Sequence, residues 1–168
     1  GSRASGKSSI AKILEEEYDF ERFAFSDVLR EIAVLSGPKF VNDRNFLAQL
    51  GDVLRRYDED FIVNSMRKKL KSTKNNVVIE DVRFPKEVDF CLERKVIMVS
   101  LVVEKSEQIR RIMRRDLCEH PVAEELIQHR DNFQLRDDIE WDMIVQSEGE
   151  FSEIAHNVVR YLREQTSV

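Results

Sequence analysis

Glycine is scarce in this chain, and its placement constrains the fold more than any other feature. Only five glycines occur among 168 residues, and two of them bracket the opening segment Gly1-Ser2-Arg3-Ala4-Ser5-Gly6-Lys7-Ser8. The spacing is G-x-x-x-x-G-K-[ST], a loop whose successive N–H groups turn inward on an anion. In such a loop the Lys7 ammonium reaches the β- and γ-phosphates of a nucleotide, and the Ser8 hydroxyl takes a place on Mg²⁺. A helix must follow, so that its positive N-terminal end meets the phosphates. Ile10, Ile13, Leu14 and Tyr18 recur at helical spacing, with Lys12 and Glu15 to Glu17 on the other side. The pattern arises by accident in roughly one chain in 150 of this length, so ATP with Mg²⁺ is the first ligand to expect. Gly1, Ser2, Arg3, Ala4, Ser5, Gly6, Lys7, Ser8 and Ser9 are then its contacts. A loop of this kind normally follows a buried strand, which is expected upstream of Gly1, the given sequence beginning one strand late.

Downstream, apolar runs alternate with helical patterns. Arg22 to Phe25 reads as a short strand, and Ser26 or Asp27 as the cap of a helix carrying Val28, Leu29, Ile32 and Ala33 that stops at Gly37-Pro38. Phe46, Leu47, Leu50, Val53, Leu54 and Tyr57 mark a second helix; Phe61, Ile62, Met66 and Leu70 mark a third. Asn76 to Asp81, Val96 to Val103 and Asp142 to Val145 read as strands, with helices after the second around Ile109 and Leu126 and a closing helix after Gly149. Continuous apolar strands alternating with helices predict an α/β fold, a parallel sheet covered on both faces. Its ligands gather at the carboxyl ends of the strands, where Ser26-Asp27, Glu80-Asp81, Glu104 and Ser147 fall. No repeat and no linker divides the chain, so one domain over 1–168 is expected.

Composition removes several classes. Hydrophobic residues at 42% exclude a wholly disordered chain. No apolar run approaches the roughly 18 residues of a membrane span. A net charge of −5 argues against general nucleic-acid binding. Cys91 and Cys118 match no disulfide framework or zinc spacing, and a cytoplasmic setting is the expectation. His120, His129 and His156 have no metal spacing. No Asn-Lys-x-Asp guanine motif occurs, so a GTPase switch is not indicated.

The residues Gly1 to Ser8, Phe25-Ser26-Asp27 with Arg30, Val78 to Arg83 with Glu87-Val88, Arg110 to Arg115 and Asp142 to Gly149 stand in an order that resembles P-loop kinases of the nucleoside monophosphate kinase type. The pattern is most similar to phage-type deoxynucleoside monophosphate kinases and to archaeal adenylate-kinase-related and dephospho-CoA-kinase-like proteins. The resemblance implies a P-loop NTPase fold with a five-stranded parallel sheet, an acceptor-binding region at about 26–75 and a small lid at about 105–130. It implies transfer of a phosphoryl group from ATP to a small phosphorylated acceptor, by a monomer or homodimer. A dephospho-CoA-type acceptor and a non-catalytic nucleotide-binding protein are the alternatives. The Asp-Gly-x-Pro-Arg segment of ordinary adenylate kinases is absent.

Particular residues carry this expectation, each beside a plainer reading. Asp81 can hold Mg²⁺ through water opposite Ser8, or merely cap its strand; Glu80 points to the other face by strand alternation. Arg83, by resemblance, contacts the acceptor phosphate, or else pairs with Glu87. Arg30 is a second anion clamp with Asp27 beside the acceptor, or pairs with Asp27 structurally. Arg110, Arg111, Arg114 and Arg115 share the arc opposite Ile109, Ile112 and Met113. They form a solvated face, or the charge-neutralising side of a lid in which Arg110 and Arg114 are catalytic. Arg130 is a further candidate for the same role. Ser147 is expected beside the nucleotide.

Overall fold

The structure, a computed structural model, describes residues 3–128 and 139–166. Gly1, Ser2, His129 and Arg130 lie outside the described residues. The described elements run α1 (Lys7–Tyr18), β1 (Phe20–Phe23), α2 (Phe25–Ser36), a 3-10 turn (Pro38–Phe40), α3 (Arg44–Tyr57), α4 (Phe61–Leu70), β2 (Asn76–Ile79), α5 (Pro85–Glu93), β3 (Val99–Val102), α6 (Lys105–Asp116), α7 (His120–Gln128), β4 (Met143–Gln146) and α8 (Phe151–Thr166).

Local chemistry sets the ends of several elements. Gly6 precedes α1 with φ 87°, a left-handed conformation that glycine adopts without a Cβ penalty. Asp43 caps α3 by accepting from the N–H groups of Asn45 and Phe46, each at 3.0 Å. Helix α2 departs from the sequence expectation. It starts at Phe25, and neither Ser26 nor Asp27 caps it. The cap comes from across the sheet: Asp81 accepts from the N–H of Phe25 at 2.6 Å and of Ser26 at 2.9 Å. Helix α5 lies in a stretch where the apolar pattern predicts no element. Pro85 at its first position pre-sets the helical φ without wasting an N–H.

β1 pairs with β2 in parallel, Phe20 opposite Asn76 and Phe23 opposite Ile79. β3 pairs with β4 in parallel, Val99 opposite Met143 and Val102 opposite Gln146. The expected five-stranded sheet is therefore not what the described residues form: they form two two-stranded sheets, and β2 does not pair with β3. The sequence reading expects a further strand between β2 and β3. Within the described residues no strand fills that position, so the hydrogen-bonding ladder stops at β2 and resumes at β3.

Two apolar clusters tie the strand pairs into one layer. Ile10 and Leu14 of α1, Leu101 of β3 and Ile154, Ala155 and Val159 of α8 are buried together, with Phe20, Val78, Val99 and Val145 packed against them. Phe25, Val28, Leu29, Ile62, Val63, Met66, Phe90 and Met98 form the larger cluster, joined by Phe23, Ile79 and Trp141. The first cluster draws on both strand pairs, while the larger one takes Phe23 and Ile79 from the first pair and Met98 and Trp141 from the residues leading into β3 and β4. At β2, Val78 and Ile79 go to opposite clusters, as the pleat dictates. Helices α1 and α8 thus cover one face and α2 to α5 the other. Phe90 and Met66 are at most 1% exposed, each burial contributing about 1.5–3 kcal/mol. A third, smaller cluster joins α6 to α7 through Ile109, Ile112 and Ala123, and Ala4 of the opening loop packs against it. No helix among the described residues is long and apolar enough to cross a membrane.

Candidate functional site

The opening loop is gripped from outside through its carbonyl groups. Gln108 Nε2 donates to the Arg3 carbonyl at 2.6 Å, Arg111 donates to the Ala4 carbonyl at 3.4 Å, and the Ser147 hydroxyl donates to the Ser5 carbonyl at 2.5 Å. The Gly6 carbonyl accepts from Ile10 as α1 begins. With successive carbonyls turned toward the protein, the first N–H groups of α1 are left without intrahelical acceptors at the loop's open side. That is the geometry an anion needs. Ala4 holds φ 57°, a conformation costing a non-glycine residue about 1–2 kcal/mol. At Gly6 a Cβ would lie 2.6 Å from the Phe151 ring and 3.1 Å from Ser147 Oγ, so both φ and space demand glycine there.

Arg111 is the centre of this grip. It donates to the Ser147 carbonyl, to the Ser147 hydroxyl at 3.1 Å and to Glu107 at 2.7 Å, and its guanidinium lies 5.2 Å from the centre of the Phe151 ring. Arg110 turns instead to Glu107 at 2.7 Å with its side chain 63% exposed, and Arg114 is exposed. Of the four arginines on the α6 arc, Arg110, Arg114 and Arg115 are exposed and Arg111 is half-buried. Arg111 holds the loop's backbone, and Arg115 contributes to the field at Lys7.

Lys7 donates to Ser5 Oγ at 3.2 Å. Burial pulls its ammonium down to about 8, with the Arg83 charge acting in the same direction and Asp81 and Glu80 opposing. Arg3 is lowered by burial, and then by the charges of Arg44 and Arg115. One carboxylate answers this crowd: Asp116 lies 3.8 Å from Arg3, 3.5 Å from Arg44 and 2.7 Å from Arg115. The hydrogen bond from Arg115 holds Asp116 down at about 2. Cations from the loop, from the start of α3, from the turn after β2 and from the end of α6 thus converge with a local excess of positive charge. Such a field attracts a polyanion.

The two carboxylates that end β2 have separate tasks. Both oxygens of Asp81 are bonded to the first turn of α2. Glu80 accepts from Arg22 Nε at 2.9 Å on Oε1, while its Oε2 is buried without a hydrogen-bond partner. A buried, unsatisfied carboxylate oxygen is costly, and a cation or its water shell would satisfy it. Ser8 and Ser9 are exposed at the start of α1. Among the described residues no three His, Cys, Asp or Glu side chains gather as a metal cage. Mg²⁺ bound with a nucleotide takes one or two protein oxygens and the rest from phosphates and water. Ser8 with Glu80 or Asp81 fits that ion.

Other expected contacts sit as follows. Arg30 donates to Ser26 Oγ at 2.7 Å and to Asp27 at 2.8 Å, the structural pairing. Arg83 is exposed; its backbone N–H, not its guanidinium, meets Glu87, donating to Oε2 at 2.8 Å. His156 contacts the Tyr18 hydroxyl at 3.3 Å, His120 faces Glu124, and neither joins the site. A cleft of about 500 Å³ opens beside it between α3, the start of α4 and the start of α5, lined in part by Arg55, Arg56, Phe84 and Lys86. Gln108, Glu107, Asp116 and Arg55 belong to no motif in the sequence; a polar Gln108 flanked by apolar Ile109 on an amphipathic helix is the one signal that could have found them.

Comparison with known proteins agrees with this geometry. A profile of AAA_18, described as an AAA domain, matches residues 1–137. No curated protein gives a match. The match over residues 1–137 places the chain in the AAA_18 family, a P-loop NTPase-type nucleotide-binding family that includes kinases.

Proposed function

We propose that this protein transfers the γ-phosphoryl group of ATP to a small phosphorylated acceptor, a nucleoside or deoxynucleoside monophosphate. The observation that supports it is the convergence of Arg3, Lys7, Arg83 and Arg115, each from a different element or turn, with the charges of Arg83 and Arg115 close enough to act on both Arg3 and Lys7. A site for one nucleotide needs the loop and its lysine; added arginines from the turn after β2 and from α6 suit a second phosphate and the charge of the transferring group. Phosphoryl transfer asks for positioning and electrostatic stabilisation more than for covalent chemistry.

In this reading the loop residues Arg3 to Ser9 hold the ATP phosphates. Lys7 binds the β- and γ-phosphates, regaining its full charge as the anion arrives. Mg²⁺, when bound, would neutralise phosphate charge; Ser8 and the carboxylates ending β2 are the residues that would hold it. Arg83 orients the acceptor phosphate, with Arg30 and Asp27 at the edge of the acceptor region. The α6–α7 unit acts as the lid, and Arg110, Arg114 and Arg115 are its candidate sources of charge, Arg115 being the one whose field reaches Lys7.

ADP release from purified protein with ATP, Mg²⁺ and a panel of nucleoside and deoxynucleoside monophosphates plus dephospho-CoA tests the reading. Acceptor-dependent ADP release with a monophosphate is the expected result. Release only with dephospho-CoA would reassign the acceptor, and tight ATP binding with no transfer would make the protein a nucleotide-binding module.

A further inference from the structure

We propose that Arg55 and Glu87 are positioning residues that clasp the Arg83–Phe84 turn and so fix where the Arg83 guanidinium stands relative to Lys7. The proposal rests on the reading that Arg83 serves an acceptor phosphate.

The turn after β2 has little of its own to hold it. β2 ends at Ile79 and α5 begins at Pro85, so Arg83 and Phe84 lie in a connection outside both ladders. Glu87, the third residue of α5, reaches back over it. Its Oε2 accepts from the Arg83 N–H at 2.8 Å and from the Phe84 N–H at 3.1 Å. The other oxygen, Oε1, accepts from Arg55 at 3.4 Å. Arg55 in turn lies over the Phe84 ring, its guanidinium 3.3 Å from the ring centre. One residue of the turn is therefore held through its backbone by Glu87, and its neighbour through both backbone and ring.

The choice of glutamate is informative. The Glu87 side chain is 3% exposed, and burial pushes its carboxyl up to about 7 despite the two backbone donors. Glutamine could accept the same backbone N–H groups through its amide oxygen without the cost of burying a charge. What glutamine lacks is a second anionic oxygen for a guanidinium, and charge-assisted bonds are about twice as strong as neutral ones. The carboxylate is thus suited to holding Arg55, and through it the Phe84 ring, rather than to stabilising the fold. Arg55 sits on α3, whose first residue Arg44 meets Asp116 of α6. The same helix therefore touches the turn at one end and the lid at the other.

The test compares wild type, Glu87→Gln and Arg55→Ala by two readouts. Steady-state kinetics with ATP and a nucleoside monophosphate should show acceptor KM raised about tenfold in Glu87→Gln, with ATP KM within twofold and thermal stability at pH 8 equal or higher. The Arg83 Nε–Hε NMR resonance, titrated with inorganic phosphate, needs no turnover; it should shift in wild type, and the shift should weaken in both variants. The same response in all three proteins, no response in wild type, or equal KM increases for both substrates overturns the relay. Absence of phosphoryl transfer by wild type, with the Arg83 response intact and lost in the variants, would overturn the kinase reading and leave the relay standing.

Discussion

The Ser147 hydroxyl and the Ser5 carbonyl meet at 2.5 Å across 142 residues of chain. Both residues are fully buried. This bond joins the end of β4 to the phosphate loop, and Arg111 locks Ser147 from behind. Ser147→Ala should therefore act on the loop before the fold. Leaving the Ser5 carbonyl unpaired costs about 1–3 kcal/mol, and the loop should lose about tenfold in ATP affinity. Urea unfolding and titration calorimetry read the two effects separately.

Lys7 should reveal its lowered pKa when ATP binds. With the free-enzyme value at about 8 and a polyanion raising it, binding at pH 8 to 8.5 should take up a fraction of a proton. Calorimetry in buffers of different ionisation enthalpy measures this uptake. Lys7→Met should abolish it and lower turnover about a hundredfold or more. Proton uptake unchanged in Lys7→Met would assign the effect to another group.

The arginines of α6 should separate into two classes. Arg111→Ala removes bonds to both Ser147 and the Ala4 carbonyl, so it should lower stability and ATP affinity together. Arg110→Ala breaks only an exposed, solvent-screened pair with Glu107, and should leave ATP affinity unchanged. If α6 closes as a lid, Arg114→Ala or Arg115→Ala should reduce kcat by about 10² to 10⁴ with ATP affinity nearly intact. Wild-type turnover in single alanine variants at 110, 114 and 115 would remove the lid from the mechanism.

Glu87 makes stability depend on pH. Its carboxyl is raised in the fold from 4.5 to about 7 by burial, with the Asp81 charge adding to the rise and Arg55 opposing it. A raised carboxyl contributes stability that is fully present below about 4.5 and is lost as pH climbs through 7. The loss amounts to about 3 kcal/mol at most, since each tenfold change in proton affinity between fold and unfolded chain is worth roughly 1.4 kcal/mol. Denaturation at pH 5.5 and at pH 8 should show wild type weakening, while Glu87→Gln stays flat over that window. The Cys91 thiol, pushed up to about 12 by burial and by Glu87, stays neutral throughout.

Much of the molecule is legible in the residue pattern because the signals are local. The spacing from Gly1 to Ser8 specifies a phosphate loop, the period of Ile10, Ile13 and Leu14 specifies the helix behind it, and the runs around Val78 and Leu101 specify buried parallel strands. These depend on backbone geometry within a few residues, so sequence reports them directly. Helix α5 escapes that pattern because its apolar face, Val88, Phe90 and Cys91, is short, spanning barely one helical turn.

What the sequence could not determine is which side of each element meets the loop. At 100° per residue the four α6 arginines span an arc of about 140°, with Arg110 and Arg114 at one edge and Arg111 and Arg115 at the other. Nothing local distinguishes those edges; the packing of Ile109 and Ile112 against α7 and Ala4 turns the second edge to the loop. Glu80 and Asp81 raise the same problem. Their order along the strand requires opposite directions, but only the nearness of the α2 N-terminus and of Arg22 decides that Asp81 caps a helix while Glu80 keeps an unpaired oxygen. Sequence by itself determined which chemical groups this protein carries and on which kind of element. Tertiary structure decided which of them face one another, because side-chain direction is set by contacts between residues scores of positions apart.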